Sequence, residues 1–179
     1  FIEEAILSVL DQNYPKIEYL IIDGGSTDGS VKIIKKYENE LAYWISEKDN
    51  GQTHAINKGW SICNGKIIAW LNSDDTYANS NVLSEVVRNF IDNPHWGMLY
   101  GDCWIVNEKG ERENRDGYLD NLPAIPFNIN SFLLRNHIGQ PASFFKKEAV
   151  LEVGGLIEKL HYGMDFDLFA KIGLRFKIG

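Results

Sequence analysis

The ten residues Lys66-Ile67-Ile68-Ala69-Trp70-Leu71-Asn72-Ser73-Asp74-Asp75 constrain this chain more than any other stretch: an apolar run too short to cross a membrane ends in two adjacent carboxylates. Four to eight apolar residues bounded by turn formers fit an inner strand of a mostly parallel sheet, because helices cover both of its faces. Ligands of open α/β sheets bind at the carboxyl ends of the strands. Asp74 and Asp75 are therefore expected on the floor of a cleft, where carboxylate oxygens can hold a divalent cation against a phosphate-bearing substrate. The plainer alternative is a helix cap, since Asp is a favoured N-cap residue and the residues from Asn79 onward have helical spacing. The position at a strand end favours the cleft.

The rest of the first half alternates strands and helices. Ile2, Ala5, Ile6, Val9 and Leu10 recur at helical spacing, and Tyr14-Pro15 is expected to end that helix. Residues 17–22 form an apolar strand that runs into Asp23-Gly24-Gly25-Ser26-Thr27-Asp28-Gly29-Ser30, a strand-to-helix turn. Two glycines let the backbone approach a ligand, and the Ser/Thr/Asp cluster caps a helix over 31–38 whose N-terminus favours anions. A loop capped for stability alone accounts for the same residues.

A second strand over 41–46 leads into the polar loop Glu47-Lys48-Asp49-Asn50-Gly51-Gln52, on the same sheet edge as Asp23. Thr53 is placed to cap the next helix, in which Ala55, Ile56, Gly59, Trp60 and Cys63 face inward. After the 66–75 stretch, Val82, Leu83, Val86, Val87, Phe90 and Ile91 mark an amphipathic helix ended by Pro94, followed by a strand over 97–106. Strand–helix alternation repeated three times predicts a parallel sheet wound right-handedly.

Beyond Asn107 the pattern changes. Residues 108–116 read as a charged hairpin-like excursion, and 120–136 as irregular chain with one helix near 129–135. Gln140-Pro141-Ala142-Ser143-Phe144-Phe145 reads as a strand with a polar start, and 147–153 as a short helix closed by Gly154-Gly155. In His161-Tyr162-Gly163-Met164-Asp165-Phe166-Asp167-Leu168-Phe169-Ala170-Lys171-Ile172 the apolar residues make a helix face, which leaves Asp165 near the helix start, where the dipole favours its charged, basic form. An N-cap without chemistry fits the same position.

At 179 residues the chain suffices for one domain with its own core. A net charge of -7 argues against a broad nucleic-acid surface. Cys63 and Cys103 show no metal or redox spacing and read as reduced core residues of a cytoplasmic protein. No apolar run of about twenty residues is present to span a membrane.

Taken together, Asp23-Gly-Gly-Ser-Thr-Asp-Gly-Ser30, Ser46-Glu-Lys-Asp-Asn-Gly51 with Asn57-Lys-Gly59, Leu71-Asn-Ser-Asp-Asp75, and Gly154-Gly155 followed by Asp165 in a Gly-x-Asp-x-Asp-Leu context resemble the family-two inverting glycosyltransferases in order and spacing. The bacterial members that assemble surface polysaccharides are the nearest in pattern. The resemblance implies an α/β fold of the A type, a three-layer Rossmann-like sandwich with a mainly parallel central sheet, trimmed here at both ends. It implies a single domain over 1–179, with a nucleotide-sugar-binding half over 1–106 and an acceptor-binding half over 107–179.

Carried over by position, Asp23, Gly25, Ser26, Asp49 and Asp74 fall to a nucleoside-diphosphate sugar donor, a UDP- or GDP-sugar, with Asp74 at the ribose. Asp75 falls to a Mn²⁺ or Mg²⁺ ion, and Asp165 is the base that takes the acceptor's proton. The acceptor is expected to be a glycan or lipid-linked sugar, with the enzyme in the cytoplasm or associated peripherally with the inner face of a membrane. A single in-line displacement inverts configuration, so one base suffices and no nucleophilic carboxylate is needed.

Departures from the family pattern temper the resemblance. Gly24 stands where many relatives have a second Asp, and Met164 replaces an acidic residue before Asp165, with Asp167 as the alternative base. His54 is expected to be an exposed helical histidine without a role, and His137 and Gln140 are candidate sugar contacts or loop packing. Relatives begin with a strand that this sequence lacks; without it two strands would face each other unpaired across a gap, half the nucleotide pocket would be absent, and weak or no activity is expected. Two rival classes remain: a sugar nucleotidyltransferase, which would release pyrophosphate, and a non-catalytic nucleotide-sugar-binding module.

Overall fold

A computed structural model describes residues 1–112, 121–160 and 162–179. The first helix, α1 (Ile2–Leu10), buries Ala5, Ile6 and Val9. It stops short of the expected Tyr14-Pro15 because Gln12 leaves the helical path: its amide donates to the carbonyls of Ser8 and Asn79, and its Oε1 accepts from Leu83 N at 3.0 Å. Strand β1 (Leu20–Asp23) follows, then α2 (Ser30–Lys36) and strand β2 (Tyr43–Ser46). The two strands pair in parallel, with Asp23 in register with Ser46. Helix α3 (Gln52–Ile62) leads on to β3 (Ile67–Ile68), α4 (Val82–Asp92) and β4 (Trp96–Tyr100).

The predicted strand over 97–106 is broken after Tyr100, where Gly101 N donates to Ala142 O at 3.0 Å. A short β5 (Cys103–Trp104) then pairs antiparallel with β6 (Asn121–Leu122). The charged excursion closes through a bridge between Val106 and Arg112, and its remainder, 113–116, lies outside the described residues. The chain continues through α5 (Ile129–Leu134), β7 (Ser143–Lys146), α6 (Lys147–Glu152), α7 (Met164–Gly173) and β8 (Lys177–Ile178).

The α/β architecture is as expected, but the strand directions are mixed rather than mainly parallel. The larger sheet has the order β3-β7-β4-β8, with β7 antiparallel to both β3 and β4. The reason lies in the second half of the chain: β7 inserts between two strands of the first half, so residues from both sides of position 107 share one sheet. Consequently β3 is an edge strand of that sheet, not an inner one. Its free edge does not pair with β1, which belongs to a separate two-stranded sheet. A cavity of about 1160 Å³ lies between them, lined deep inside by Ile21, Ile68, Trp70 and Val86.

The core is aromatic. Phe145 is fully buried, its ring stacked on Trp70 at 5.6 Å and on Phe169 at 5.8 Å, with Trp60 at 6.1 Å. One residue of β7 thus joins α3, the chain after β3, and α7. Phe145→Ala is expected to cost about 3–5 kcal/mol, read from the urea midpoint, because the three rings around it cannot collapse into the space. No helix among the described residues is long and apolar enough to cross a membrane.

Candidate active site

The parallel register of β1 and β2 delivers Asp23 and Ser46 side by side at one sheet edge. Asp23 then spends its carboxylate on its own turn. Oδ2 accepts from Gly25 N at 3.1 Å, Ser26 N at 3.0 Å and Ser46 Oγ at 2.5 Å, and Oδ1 accepts from Ser26 Oγ at 2.5 Å. Burial pushes this carboxyl up, but the two hydroxyls and two backbone N–H groups outweigh it and hold it below the ordinary aspartate value. Gly25 has φ +89°, the left-handed region that the turn requires.

A depressed folded value means that Asp23 stabilises the fold above the unfolded value of about 4, and that this contribution is lost as pH falls through the lower folded value. Asp23→Asn should therefore be less stable than the parent at pH 7, with the difference closing at more acidic pH. Urea midpoints measured across that range check it.

A Cβ at position 24 would lie 2.7 Å from Asp49 Oδ2, so a side chain there would require the Asp49 carboxylate to move. The second carboxylate at this edge comes from the following loop instead. Asp49 also accepts from Gly51 N at 2.8 Å, which shapes the entry into α3.

At the end of β3, Trp70 is buried and the chain turns, with Asp75 N donating to Asn72 O at 3.2 Å. The Asn72 side chain is the hub of this turn. It donates to Asp75 Oδ2 at 2.9 Å and to Gln140 Oε1 at 3.0 Å, and accepts from Gln52 Nε2 at 2.6 Å. Burial pushes the Asp75 carboxyl up, the Asn72 amide opposes it, and the adjacent Asp74 charge adds to the push; the net position is above the ordinary value.

The first turn of α3 ties the two acid segments together. Gln52 grips Asn72, while its neighbour Thr53, which is buried, places Oγ1 against Met164 Sδ and within 3.4 Å of Leu160 O. Thr53 therefore lies inside the helix and does not cap it; Gly51 precedes α3. One turn on, Asn57 Nδ2 donates to Leu156 O at 2.9 Å, so one face of α3 holds the segment leading to α7. Asp165 is the second residue of α7, half-buried, with no hydrogen bond or ion pair among the described residues. Asp167, the alternative base, is engaged: Lys171 Nζ lies 2.8 Å from its Oδ2 and also donates to Gly155 O.

The polar mouth of the cavity is lined by Asp23, Gly24, Ser26, Asp49, Asn72 and Asp74, which unites three of the sequence motifs. Gly25, Asp75 and Asp165 do not line it. Asp75 is bonded to one lining residue, Asn72, whereas Asp165 only follows Met164, whose Sδ meets Thr53 beside Gln52. Among the described residues no three His, Cys, Asp or Glu side chains gather closely enough to cage a metal.

Other expectations change. His54 is half-buried, not exposed, and its buried Nδ1 has no partner among the described residues. For Gln140 and His137 the packing alternative holds: Gln140 bonds Trp70 O and Asn72. His137 packs on Tyr100 and Phe132, at 6.2 Å and 5.9 Å between ring centroids. The Gln52–Asn72–Gln140 network was not read from the sequence; its only signal is an amide residue two positions before the acid pair.

The description of glycosyl transferase family 2 matches residues 1–152. An uncharacterized glycosyltransferase of Mycobacterium tuberculosis is 30% identical over 172 residues, which is 94% of this chain and 60% of the relative. The O-antigen biosynthesis protein RfbC of Myxococcus xanthus is 24% identical over 96% of this chain and 13% of its own length. Two solved structures share the fold. Mannosyltransferase PcManGT from Pyrobaculum calidifontis, in complex with GDP-Man and Mn²⁺, superposes with a TM-score of 0.71 at 19% identity, covering 99% of this chain and 49% of that one. S. aureus TarS 1–349 in complex with UDP-GlcNAc superposes with a TM-score of 0.75 at 21% identity, covering 99% and 51%. The chain thus spans 60% of the mycobacterial relative and about half of these structures. Motifs in order, an α/β fold that brings Asp23, Asp49 and Asp74 to one cavity, and a family match over residues 1–152 agree: the chain belongs to glycosyl transferase family 2 and has its A-type fold.

Proposed function

We propose that the protein transfers a sugar from a nucleoside-diphosphate sugar to an acceptor hydroxyl with inversion at the anomeric carbon. The observation that carries this reading is the first turn of α3, where Gln52 holds Asn72 of the acid turn and its neighbour Thr53 packs against Met164 at the start of α7. Asp49 and Asp74 line that mouth and meet the donor's nucleoside, Asp74 at the ribose. Asp23 acts through the turn it braces, which presents Gly25 and Ser26 to the donor, because its own oxygens are already engaged.

The donor set fits Mn²⁺ or Mg²⁺. Such ions are usually held by one or two carboxylates plus substrate phosphates rather than by an all-protein cage, and Asp75 keeps Oδ1 free of hydrogen bonds among the described residues. When bound, the ion neutralises charge growing on the diphosphate leaving group. Asp165, in the first turn of α7, accepts the proton of the attacking hydroxyl.

The donor class draws support from the neighbours, whose complexes contain GDP-Man with Mn²⁺ and UDP-GlcNAc. The O-antigen biosynthesis relative supports a role in surface polysaccharide or glycolipid synthesis; a glycan or lipid-linked acceptor at the inner face of a membrane is part of the same proposal. A melting screen of UDP- and GDP-sugars with Mn²⁺ tests the reading. Stabilisation by one nucleotide-sugar, lost in EDTA, is expected. No shift with any donor contradicts it.

A further inference from the structure

Resting on that reading, we propose that Asn72 is a positioning residue for Asp75, and that Gln140 and Gln52 lock its amide in a single orientation. A backbone carbonyl can only accept. Gln140 Nε2 donates to Trp70 O at 2.9 Å, so the carbonyl end of Gln140 faces Asn72. That end accepts from Asn72 Nδ2 at 3.0 Å, and the same nitrogen donates to Asp75 Oδ2 at 2.9 Å. The remaining end of Asn72, Oδ1, accepts from Gln52 Nε2 at 2.6 Å.

Every amide in the chain is therefore oriented by the one before it. Turning Asn72 over would set its carbonyl against the Gln140 carbonyl and the Asp75 carboxylate, three acceptors without a proton between them. The lock has one consequence for chemistry: Oδ2 of Asp75 is held by the Asn72 amide, and Oδ1 keeps no hydrogen bond among the described residues. It also joins three separate segments, the start of α3, the turn after β3 and the short helical turn at Gln140–Ala142 that leads into β7. Gln140 comes from the half of the chain assigned to the acceptor, so the network carries the position of that half to the carboxylate assigned to the cation.

The direct test is Mn²⁺ titration followed by electron paramagnetic resonance of the free ion, with UDP or GDP present. Asn72→Leu keeps the volume and removes both ends of the lock. It is expected to weaken Mn²⁺ binding by about 10–100-fold, the usual cost of losing a group that orients a ligand, with the urea midpoint near that of the parent. Gln140→Met leaves Asn72 in place and should move the Mn²⁺ affinity the same way by less, which keeps the test decisive if Asn72→Leu does not fold. In an Asp75→Ala background the Asn72 substitution should have no further effect. Unchanged Mn²⁺ affinity in both single variants, with a parent that binds, overturns the positioning role alone. A parent that binds no Mn²⁺ with either nucleotide overturns the cation site itself, and this inference with it.

Discussion

Asp165→Asn is expected to lower the rate of sugar transfer by about 10²–10⁴-fold while leaving donor binding essentially unchanged. The substitution keeps the shape of the side chain and removes only its capacity to take a proton. Asp165 sits in the first turn of α7 with no competing partner among the described residues, whereas Asp167 two positions on is held by Lys171. Asp167→Asn should therefore act mainly through the Lys171–Gly155 anchor, weakening stability more than turnover. Initial rates set beside calorimetric donor binding separate the two. A protein that binds donor but never transfers, with or without Asp165, would be the non-catalytic module instead.

Asp75→Ala should show effects of opposite sign in the presence and absence of ligand. Without ligand, Asp75 is a half-buried carboxyl beside Asp74, held above the ordinary aspartate value by burial and by that neighbouring charge. A raised folded value means that ionising this group works against the fold as pH rises past the unfolded value, so its removal should leave the bare protein at least as stable at pH 7. With Mn²⁺ and donor, the stabilisation seen in the parent should vanish. Transfer should fall by roughly 10²-fold or more, equivalent to about 3 kcal/mol of lost charge neutralisation at the leaving group. Melting curves with and without Mn²⁺ and donor, together with initial rates, read all three outcomes.

Local signals in the sequence were enough for α1, α2, α3, α4 and α7, whose apolar spacing is regular, and for the sheet edge that carries Asp23 and Ser46. They failed where the deciding partner is distant. The run at 66–71 is apolar enough for an inner strand, yet only Ile67 and Ile68 enter the ladder, and β7 rather than β1 takes their side. Nothing in residues 143–146 announces that they pair with strands on both sides, since strand direction is set by tertiary contacts rather than by alternation.

Side-chain roles followed the same division. The positions of the acids could be read from strand ends and helix starts. The amides that orient them, Gln52, Asn72 and Gln140, have no periodic signature, and Thr53 resembles a cap until Met164 is seen against it. Gln140 reads from the sequence as either a sugar contact or loop packing; in the fold it packs inward, onto Trp70 O.

On the proposed reading the acid turn after β3 and the start of α7 serve one bound donor and ion. Paramagnetic broadening by Mn²⁺, bound with a nucleoside diphosphate, tests it most directly. The amides of Met164 and Asp165 should broaden together with those of Gln52 and residues 72–75. Broadening confined to 72–75, with Met164 and Asp165 sharp, would put the base elsewhere.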